Sequence, residues 1–333
     1  MPKSRIPRTL SLNEIATLMQ GQEALPPAAI FTIATMSEVQ LSQWKRSWDA
    51  LSADRRAALM EQFRDTAEEE IEKDFTPIFL HGLHDADPRV RLAATEGLVG
   101  EVDAQFVEPL IARLEQDTSE AVRAAAAQAL APLMSQGEIE LLPKAKRDKV
   151  YRALRAALQR EAQTSPVYRR ALEAIAYVNT EEVDWLIRSA YHADDDLLRL
   201  SAVVAMGRSA NSAYQPFVRA ELHSISPLVR GAAAIACGEL EDEEATPDLI
   251  KLLDDPSETV RFAALEGLAL VGTQAARDAL ERAAQSEDEA FADAAKEAIE
   301  VWEFWHGQMD FPLALFDEAD LKPNRIVRPP DED

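Results

Sequence analysis

An arginine recurs along this chain at a nearly constant spacing, each time after Leu or Val and before an alanine-rich apolar run. Arg199, Arg230 and Arg261 are 31 residues apart, and Arg91 and Arg123 are 32 residues apart. A period of about 20–50 residues is the sequence signature of a stacked repeat protein. Because each repeat in such an array contacts only its neighbours, the chain can be long without forming one globular core.

Two further copies of the motif lack the arginine. Tyr168 and Ala292 stand in its place, so the equivalent positions are 91, 123, 168, 199, 230, 261 and 292. The step of 45 from Arg123 to Tyr168 indicates an insertion at about residues 134–148. This insertion leads into the one basic stretch of the chain, which contains Lys144, Lys146, Arg147, Lys149, Arg152 and Arg155.

The motif around Arg261 predicts the second helix of a helix pair. Asp and Ser residues before it suit a helix N-cap, and Val260, Ala264 and Leu268 fall on one helical face. An amphipathic segment precedes each copy, so every repeat is predicted to be a helix, a tight turn and a second helix. Left-handed cap residues are then expected after the second helices, at Gly100, Asn179, Gly207, Gly238 and Gly272.

Charge restricts the classes of partner. The net charge is −24, and residues 171–333 carry 13 basic and 34 acidic side chains, a net charge of −21. Nucleic-acid binding is disfavoured because it needs clustered Lys and Arg, whereas an acidic surface attracts basic partners. The N-terminus lacks a signal-peptide core, and the apolar stretch Pro26–Met36 is too short to span a bilayer. We expect a cytoplasmic protein that does not bind membranes.

No residue pattern indicates a catalytic, cofactor-binding or metal-binding site. His81 and His84 lie beside Asp85 and could bind a metal, but a histidine in the last turn of a helix also complements the helix dipole. Cys237, the one cysteine, occupies the apolar motif position of Leu268 and is expected to be an inert core residue. We therefore expect that the protein is not an enzyme and binds no cofactor or metal.

The pattern D-x-x-P-x-V-R-x-A-A-x-x-A-L, with a helix before it and a step near 31, resembles short bacterial HEAT repeats. These are often grouped with the HEAT-like repeats of phycobilisome bilin lyases. The resemblance covers about residues 37–306 and implies an all-α fold, a right-handed α-solenoid of about eight HEAT-like helix pairs. Residues 1–36 would then form an N-terminal extension, and residues 307–333 an acidic, proline-containing tail.

The resemblance also implies where the repeats touch each other. In such arrays the second helices line the concave surface, and the motif Asp and Arg form a ladder of contacts between adjacent repeats. Tyr168 and Ala292 break this pattern at the insertion and at the last repeat. The residues that the resemblance assigns to the ladder are Asp85, Asp117 and Asp255 with Arg91, Arg123, Arg199, Arg230 and Arg261.

These features favour a protein–protein interaction scaffold that binds a partner on its curved helical surface. The partner is expected to be basic or to present an apolar anchor peptide, and the chain's own C-terminal tail is a further candidate. Two alternatives stay open: a bilin-lyase-like or chaperone-type HEAT protein, and a nucleic-acid-binding HEAT-like protein. The candidate contact residues are Leu200, Val203, Val204, Ile235, Phe262 and Leu265, which are apolar beyond the core stripe, and Glu241, Asp242 and Glu243.

Overall fold

The computed structural model describes residues 9–69, 73–135 and 142–307, and these parts of the chain form helices and turns without any strand. Three short 3-10 turns, Ala104–Phe106, Ser212–Tyr214 and Glu243–Ala245, precede three of the helices. The α-helices are α1 (Leu12–Gln20), α2 (Pro27–Ala34), α3 (Glu38–Asp49), α4 (Ala53–Glu69), α5 (Thr76–Gly82), α6 (Pro88–Glu96), α7 (Val107–Gln116), α8 (Glu120–Ala129), α9 (Pro132–Ser135), α10 (Lys144–Arg160), α11 (Pro166–Ile175), α12 (Glu181–Tyr191), α13 (Asp196–Arg208), α14 (Gln215–Glu221), α15 (Pro227–Glu239), α16 (Thr246–Leu252), α17 (Glu258–Val271), α18 (Gln274–Ala283) and α19 (Glu289–His306).

From α3 onward the described helices form eight pairs, and the short helix α9 lies between two of these pairs in the sequence. The second helices of these pairs are α4, α6, α8, α11, α13, α15, α17 and α19, and each packs against the second helix of the next pair. From α5 onward the first helices lie outside this row and pack mainly on their own second helix. Helix α3 instead packs mainly on α1 and contacts α4 through Trp44 and Trp48 against Phe63. The protein is therefore an all-α solenoid, as the period of the motif predicts.

The apolar stripe of the motif is the core of the array. Val260, Ala264 and Leu268 are fully buried, and Cys237 is equally buried at the position of Leu268 one repeat earlier. Full burial of a Val or Leu side chain contributes about 1.5–3 kcal/mol. Because neighbouring pairs supply the other half of each contact, the repeats depend on one another for stability.

The N-terminal extension is itself helical over its described part. Helix α1 packs against α3 and α4, and Trp44 and Trp48 of α3 stack with ring centroids 4.9 Å apart. Arg55, only 6% exposed, donates hydrogen bonds to the backbone carbonyls of Met19, Leu18 and Glu23. Residues 9–36 therefore belong to the folded body and cover the start of the array.

The insertion predicted at about 134–148 is only partly described. Residues 136–141 lie outside the described residues, α9 ends at Ser135, and α10 begins at Lys144. Helix α10 has 17 residues, whereas the first helices α7 and α12 have 10 and 11. The extra sequence therefore lengthens the first helix of this repeat, and the basic stretch lies along that helix.

The predicted caps are correct at two of the five positions. Gly100 and Gly272 have positive φ values of 98° and 76°, which suit a left-handed cap. Gly207 and Gly238 instead lie inside α13 and α15, and Asn179 is not among the residues with positive φ. The left-handed residues after those two helices are Ala210 and Glu241, with φ of 50° and 49°.

Glycines inside the second helices let neighbouring backbones approach closely. A Cβ atom on Gly238 would lie 2.9 Å from both the Cα and the carbonyl oxygen of Gly267. A Cβ atom on Gly267 would collide with the backbone carbonyl of Ala234. Because these neighbours are backbone atoms, no side-chain rotation can make room, and the crossing of α15 and α17 requires glycine at both positions.

None of the described helices combines the length and the apolar composition that a membrane span requires.

We predict that Gly267→Ala destabilises the protein by about 1–3 kcal/mol, because the added methyl group forces α15 and α17 apart. Gly231→Ala, also inside α15, is the matched control, since its Cβ would lie no closer than 3.7 Å to any neighbour. That substitution should stabilise the helix by about 0.5–1 kcal/mol. Urea denaturation of both variants measures the two effects, and equal midpoints would show that the helix crossing does not need glycine.

Candidate interaction surface

The motif arginines join adjacent repeats through paired hydrogen bonds to a carboxylate. Arg91 Nε and Nη2 donate to Asp117 Oδ2 and Oδ1 over 2.7 and 2.8 Å. Arg230 does the same to Asp255 over 2.8 and 2.9 Å. The Arg230 guanidinium holds the pKa of Asp255 below its usual range. These are geometries of strong, oriented ion pairs, and where they occur they join one repeat to the next.

Each of these residues also stabilises a turn. Asp117 Oδ1 accepts the backbone N–H of Ser119, and Asp255 Oδ1 accepts that of Ser257. Arg91 Nη1 donates to the backbone carbonyls of its own turn, at Asp85 and Ala86. The ladder therefore satisfies backbone groups at the ends of both helices as well as joining the repeats.

The ladder differs from the predicted set at several positions. Asp85 pairs with Arg56 of α4, over 2.6 Å, although Arg56 was not among the predicted members. Arg123 contacts Glu161 at 3.3 Å. Arg199 and Arg261 have no such carboxylate, because Ser224 and Ser286 stand where the next repeat would need Asp; including them in the ladder was wrong. Arg199 instead contacts Asp196 of its own helix, and the Arg261 guanidinium lies 6.0 Å from the ring centroid of Phe291.

The surface of α13, α15 and α17 that faces away from the first helices forms a regular array of nine residues. Its positions repeat every four residues along a helix and every 31 residues between helices, so the residues form three rows of three. All nine are partly or largely exposed to solvent. We call this set the second-helix grid: Leu200, Val204 and Arg208; Gly231, Ile235 and Glu239; Phe262, Glu266 and Leu270.

One part of the second-helix grid is apolar. Leu200, Val204, Ile235 and Phe262 are partly exposed, and the ring of Phe262 meets that of Phe291 edge-on at 5.6 Å. Four apolar side chains on three adjacent helices therefore occupy neighbouring positions of the grid, each partly exposed to water. Such a patch is typical of a contact surface for another apolar segment.

The other part of the grid carries two carboxylates with raised pKa values. Burial raises the pKa of Glu239 to about 7; Arg208 lowers it, and Glu266 raises it further. Burial also raises the pKa of Glu266. The carboxylate of Glu239 lies directly against the Cα of Gly207. Both acids thus stand at a crowded, apolar surface where their negative charge is poorly solvated.

Three of the predicted contact residues do not lie on this surface. Val203 and Leu265 are 0% and 2% exposed, because each second helix is covered on both flanks by its neighbours. Asp242 is 2% exposed and forms an ion pair with Arg219 at 2.8 Å. These three assignments were wrong. Glu241 and Glu243 are exposed, and they lie in the turn after α15 rather than on the grid.

Three charged members of the grid were missed in the sequence interpretation: Arg208, Glu239 and Glu266. The signal that could have found them is the 31-residue step itself. Moving four residues along each motif helix from Leu200, and 31 residues between helices, reaches all three. Hydrophobicity alone could not select them, because they are charged.

The remaining candidate residues are buried or paired with other side chains. Cys237 is buried, and burial raises its pKa to about 12. His81 contacts Asp49 at 3.3 Å, and burial lowers its pKa. In the described parts of the chain no three His, Cys, Asp or Glu side chains are grouped as a metal site would require. On α10, Lys149 pairs with Glu108 and Arg155 with Glu182, so these basic side chains contact the neighbouring repeats.

A family model of HEAT repeats matches residues 76–163 and 215–300, which together make up more than half of the chain. No curated protein matches the sequence at a significant level.

Several solved structures are similar to this chain. The complex of CpcE and CpcF of phycocyanin lyase from Nostoc sp. PCC7120 is 19% identical, covering 70% of this chain and 95% of that one, with a TM-score of 0.48. Human deoxyhypusine hydroxylase in complex with glycerol is 16% identical over 88% of this chain and 96% of that one, with a TM-score of 0.35. Yeast importin-beta (Kap95p) is 14% identical over 91% of this chain and 47% of its own, with a TM-score of 0.47.

The raised pKa of Glu239 predicts a pH-dependent stability. An acid with a folded pKa of about 7, against 4.5 ordinarily, favours folding below pH 4.5 and loses that contribution as the pH rises through 7. Glu239→Gln should therefore raise the free energy of unfolding at pH 8, by at most about 1 kcal/mol because water reaches the carboxylate. At pH 4.5 the difference should vanish.

Urea denaturation at several pH values measures this effect. Glu297→Gln is the matched control, because Glu297 occupies the motif position of Glu266 in α19, and no further described helix follows α19 to crowd it. A Glu239→Gln variant whose stability differs from that of the parent by the same amount at every pH would contradict the assignment.

Proposed function

This chain belongs to the HEAT-repeat family, and we propose that it is a non-enzymatic interaction scaffold that binds one segment of a partner protein across the second-helix grid. The observation that carries the proposal is the apolar patch Leu200, Val204, Ile235 and Phe262. These side chains lie on three successive second helices and stay partly exposed, although the core stripe of the same helices is buried.

The chemistry of the grid describes the partner. An apolar patch about three helices wide accommodates an amphipathic helix or an extended segment with two or three apolar anchors. Glu239 and Glu266 border the patch, and a Lys or Arg of the partner would offset the unfavourable burial of their charge. The net charge of −21 over residues 171–333 adds long-range attraction for a basic partner. We infer a partner segment that is apolar on one face and basic beside it.

Burial of Cys237 supports a role without covalent chemistry. A nucleophilic thiol needs a lowered pKa and access to solvent, whereas this thiol is buried and its pKa is raised to about 12. The bilin-lyase-like alternative would need another reactive group on the grid, where Arg208, Glu239 and Glu266 are the charged members. The nucleic-acid alternative would need free basic side chains, but Lys149 and Arg155 are paired with carboxylates.

The proposal is tested by a photo-crosslinking amino acid placed at Ile235 on the grid. In native lysate it should capture one dominant protein, identified by mass spectrometry. The matched control carries the crosslinker at Leu228, an aliphatic residue at the other end of the same helix that is 62% exposed.

Affinity measurements with the captured protein then complete the test. Ile235→Arg should abolish binding, because it places a charge in the apolar patch, whereas Leu228→Arg should leave the affinity unchanged. Circular dichroism establishes that both variants stay folded. Equal affinities of the two variants, or capture at Leu228 alone, would place the interaction surface elsewhere.

A further inference from the structure

Helix α19, the second helix of the last pair, is longer than the second helices before it. Helix α19 has 18 residues, whereas α13, α15 and α17 have 13, 13 and 14. His306 Nε2 lies 3.1 Å from the carbonyl oxygen of Leu270, and the ring packs over Gly272. The additional turn is therefore held against the previous repeat, and it has a defined position.

This additional turn carries an exposed apolar surface. Val301, Phe304 and Trp305 are 39%, 65% and 65% exposed, and their spacing of three and four residues puts them on one side of the helix. The rings of Phe304 and Trp305 meet edge-on at 5.3 Å. We call this set the α19 aromatic face. Two exposed aromatic rings on one helical turn are costly to leave in water.

The α19 aromatic face differs from the face that a further repeat would cover. In α17, Leu265 and Ala269 are buried between successive second helices. At the equivalent positions of α19, 31 residues later, stand Lys296 and Glu300, which are both exposed. A polar outer face is the property of a terminal capping repeat. Another helix pair stacked on α19 would bury those charges, so it is not the occupant that the aromatic face requires.

The sequence immediately after α19 is apolar, like the α19 aromatic face. Residues 309–316 read Met-Asp-Phe-Pro-Leu-Ala-Leu-Phe, with one charged residue among eight. Gly307 has an extended backbone, with φ −62° and ψ 142°, so α19 ends there. Val301 lies about 9 Å back along the helix at 1.5 Å per residue, and four extended residues span about 13 Å. Residues 311–316 can therefore reach all three side chains of the face.

We propose that residues 309–316 fold back and cover the α19 aromatic face, forming an intramolecular cap on the last repeat. The short tether gives the segment an effective concentration on the order of millimolar, which a second copy of the chain at ordinary concentrations does not reach. The cap would bury the apolar side chains of residues 309–316 together with those of the α19 aromatic face. This contact is separate from the second-helix grid and does not depend on the proposed function.

Tryptophan fluorescence of the full chain tests the cap. In a Trp185→Phe background, Trp305 is the one strongly exposed tryptophan among those described, since Trp44 and Trp48 are buried and Trp302 is only partly exposed. The cap predicts that acrylamide quenches Trp305 weakly in this parent. Replacing the apolar residues of the segment should increase quenching and shift the emission to longer wavelength; the substitutions are Phe311→Ser, Leu313→Ser and Phe316→Ser.

A matched control replaces three apolar residues farther along the tail, by Leu321→Ser, Ile326→Ser and Val327→Ser, and should quench like the parent. All six substituted positions follow α19 in the sequence, and circular dichroism checks that both variants keep the parent's helix content. Adding Trp305→Phe should remove the difference between parent and tail variant.

Three results would overturn the cap. The first is equal quenching of the parent and the tail variant. The second is a difference that persists after Trp305→Phe, because the segment would then cover another tryptophan. The third is shielding of Trp305 that disappears on dilution as the sedimentation mass halves, because a second copy would then be the occupant.

Discussion

The approach of the α15 and α17 backbones at Gly238 and Gly267 is the constraint on which the second half of the array depends. With glycine at both positions, each helix reaches the backbone of the next, and side chains on either flank become fully buried. This spacing makes the repeat geometry regular, and regular geometry places residues 31 apart beside each other. The second-helix grid is thus a consequence of the crossing, with Ile235 held between its neighbours on α13 and α17.

The arginine ladder also joins adjacent repeats, but at the other end of the second helices, where each helix begins. Arg91 with Asp117 and Arg230 with Asp255 join turns of adjacent repeats, and each carboxylate also accepts a backbone N–H. The array tolerates loss of this contact, because Ser224 stands opposite Arg199 without any interruption of the helix row. Burial of apolar side chains between the second helices therefore holds the row together without the ladder, and the ladder orients the turns that carry it.

The fold could be predicted from the sequence because its determinant, the 31-residue period, is local and repeated. The exposed half of the candidate surface could also be predicted, as Leu200, Ile235 and Phe262 lie beyond the core stripe of a single helix. Val203 and Leu265 could not be assigned correctly, because their burial depends on a neighbouring helix rather than on their own. The same holds for Asp242, which pairs with Arg219 from the preceding first helix. The raised pKa of Glu239 likewise arises from tertiary crowding.

Binding across the grid requires that α13, α15 and α17 behave as one rigid unit, and native-state hydrogen exchange tests this most directly. If stacking couples the repeats, amides in the middle of the three helices should exchange through one common opening, with the same free energy and the same dependence on denaturant. If instead each helix shows its own, lower opening free energy, the repeats open independently. Stacking would then not couple the three helices, and that result would contradict the account of the grid as one rigid surface.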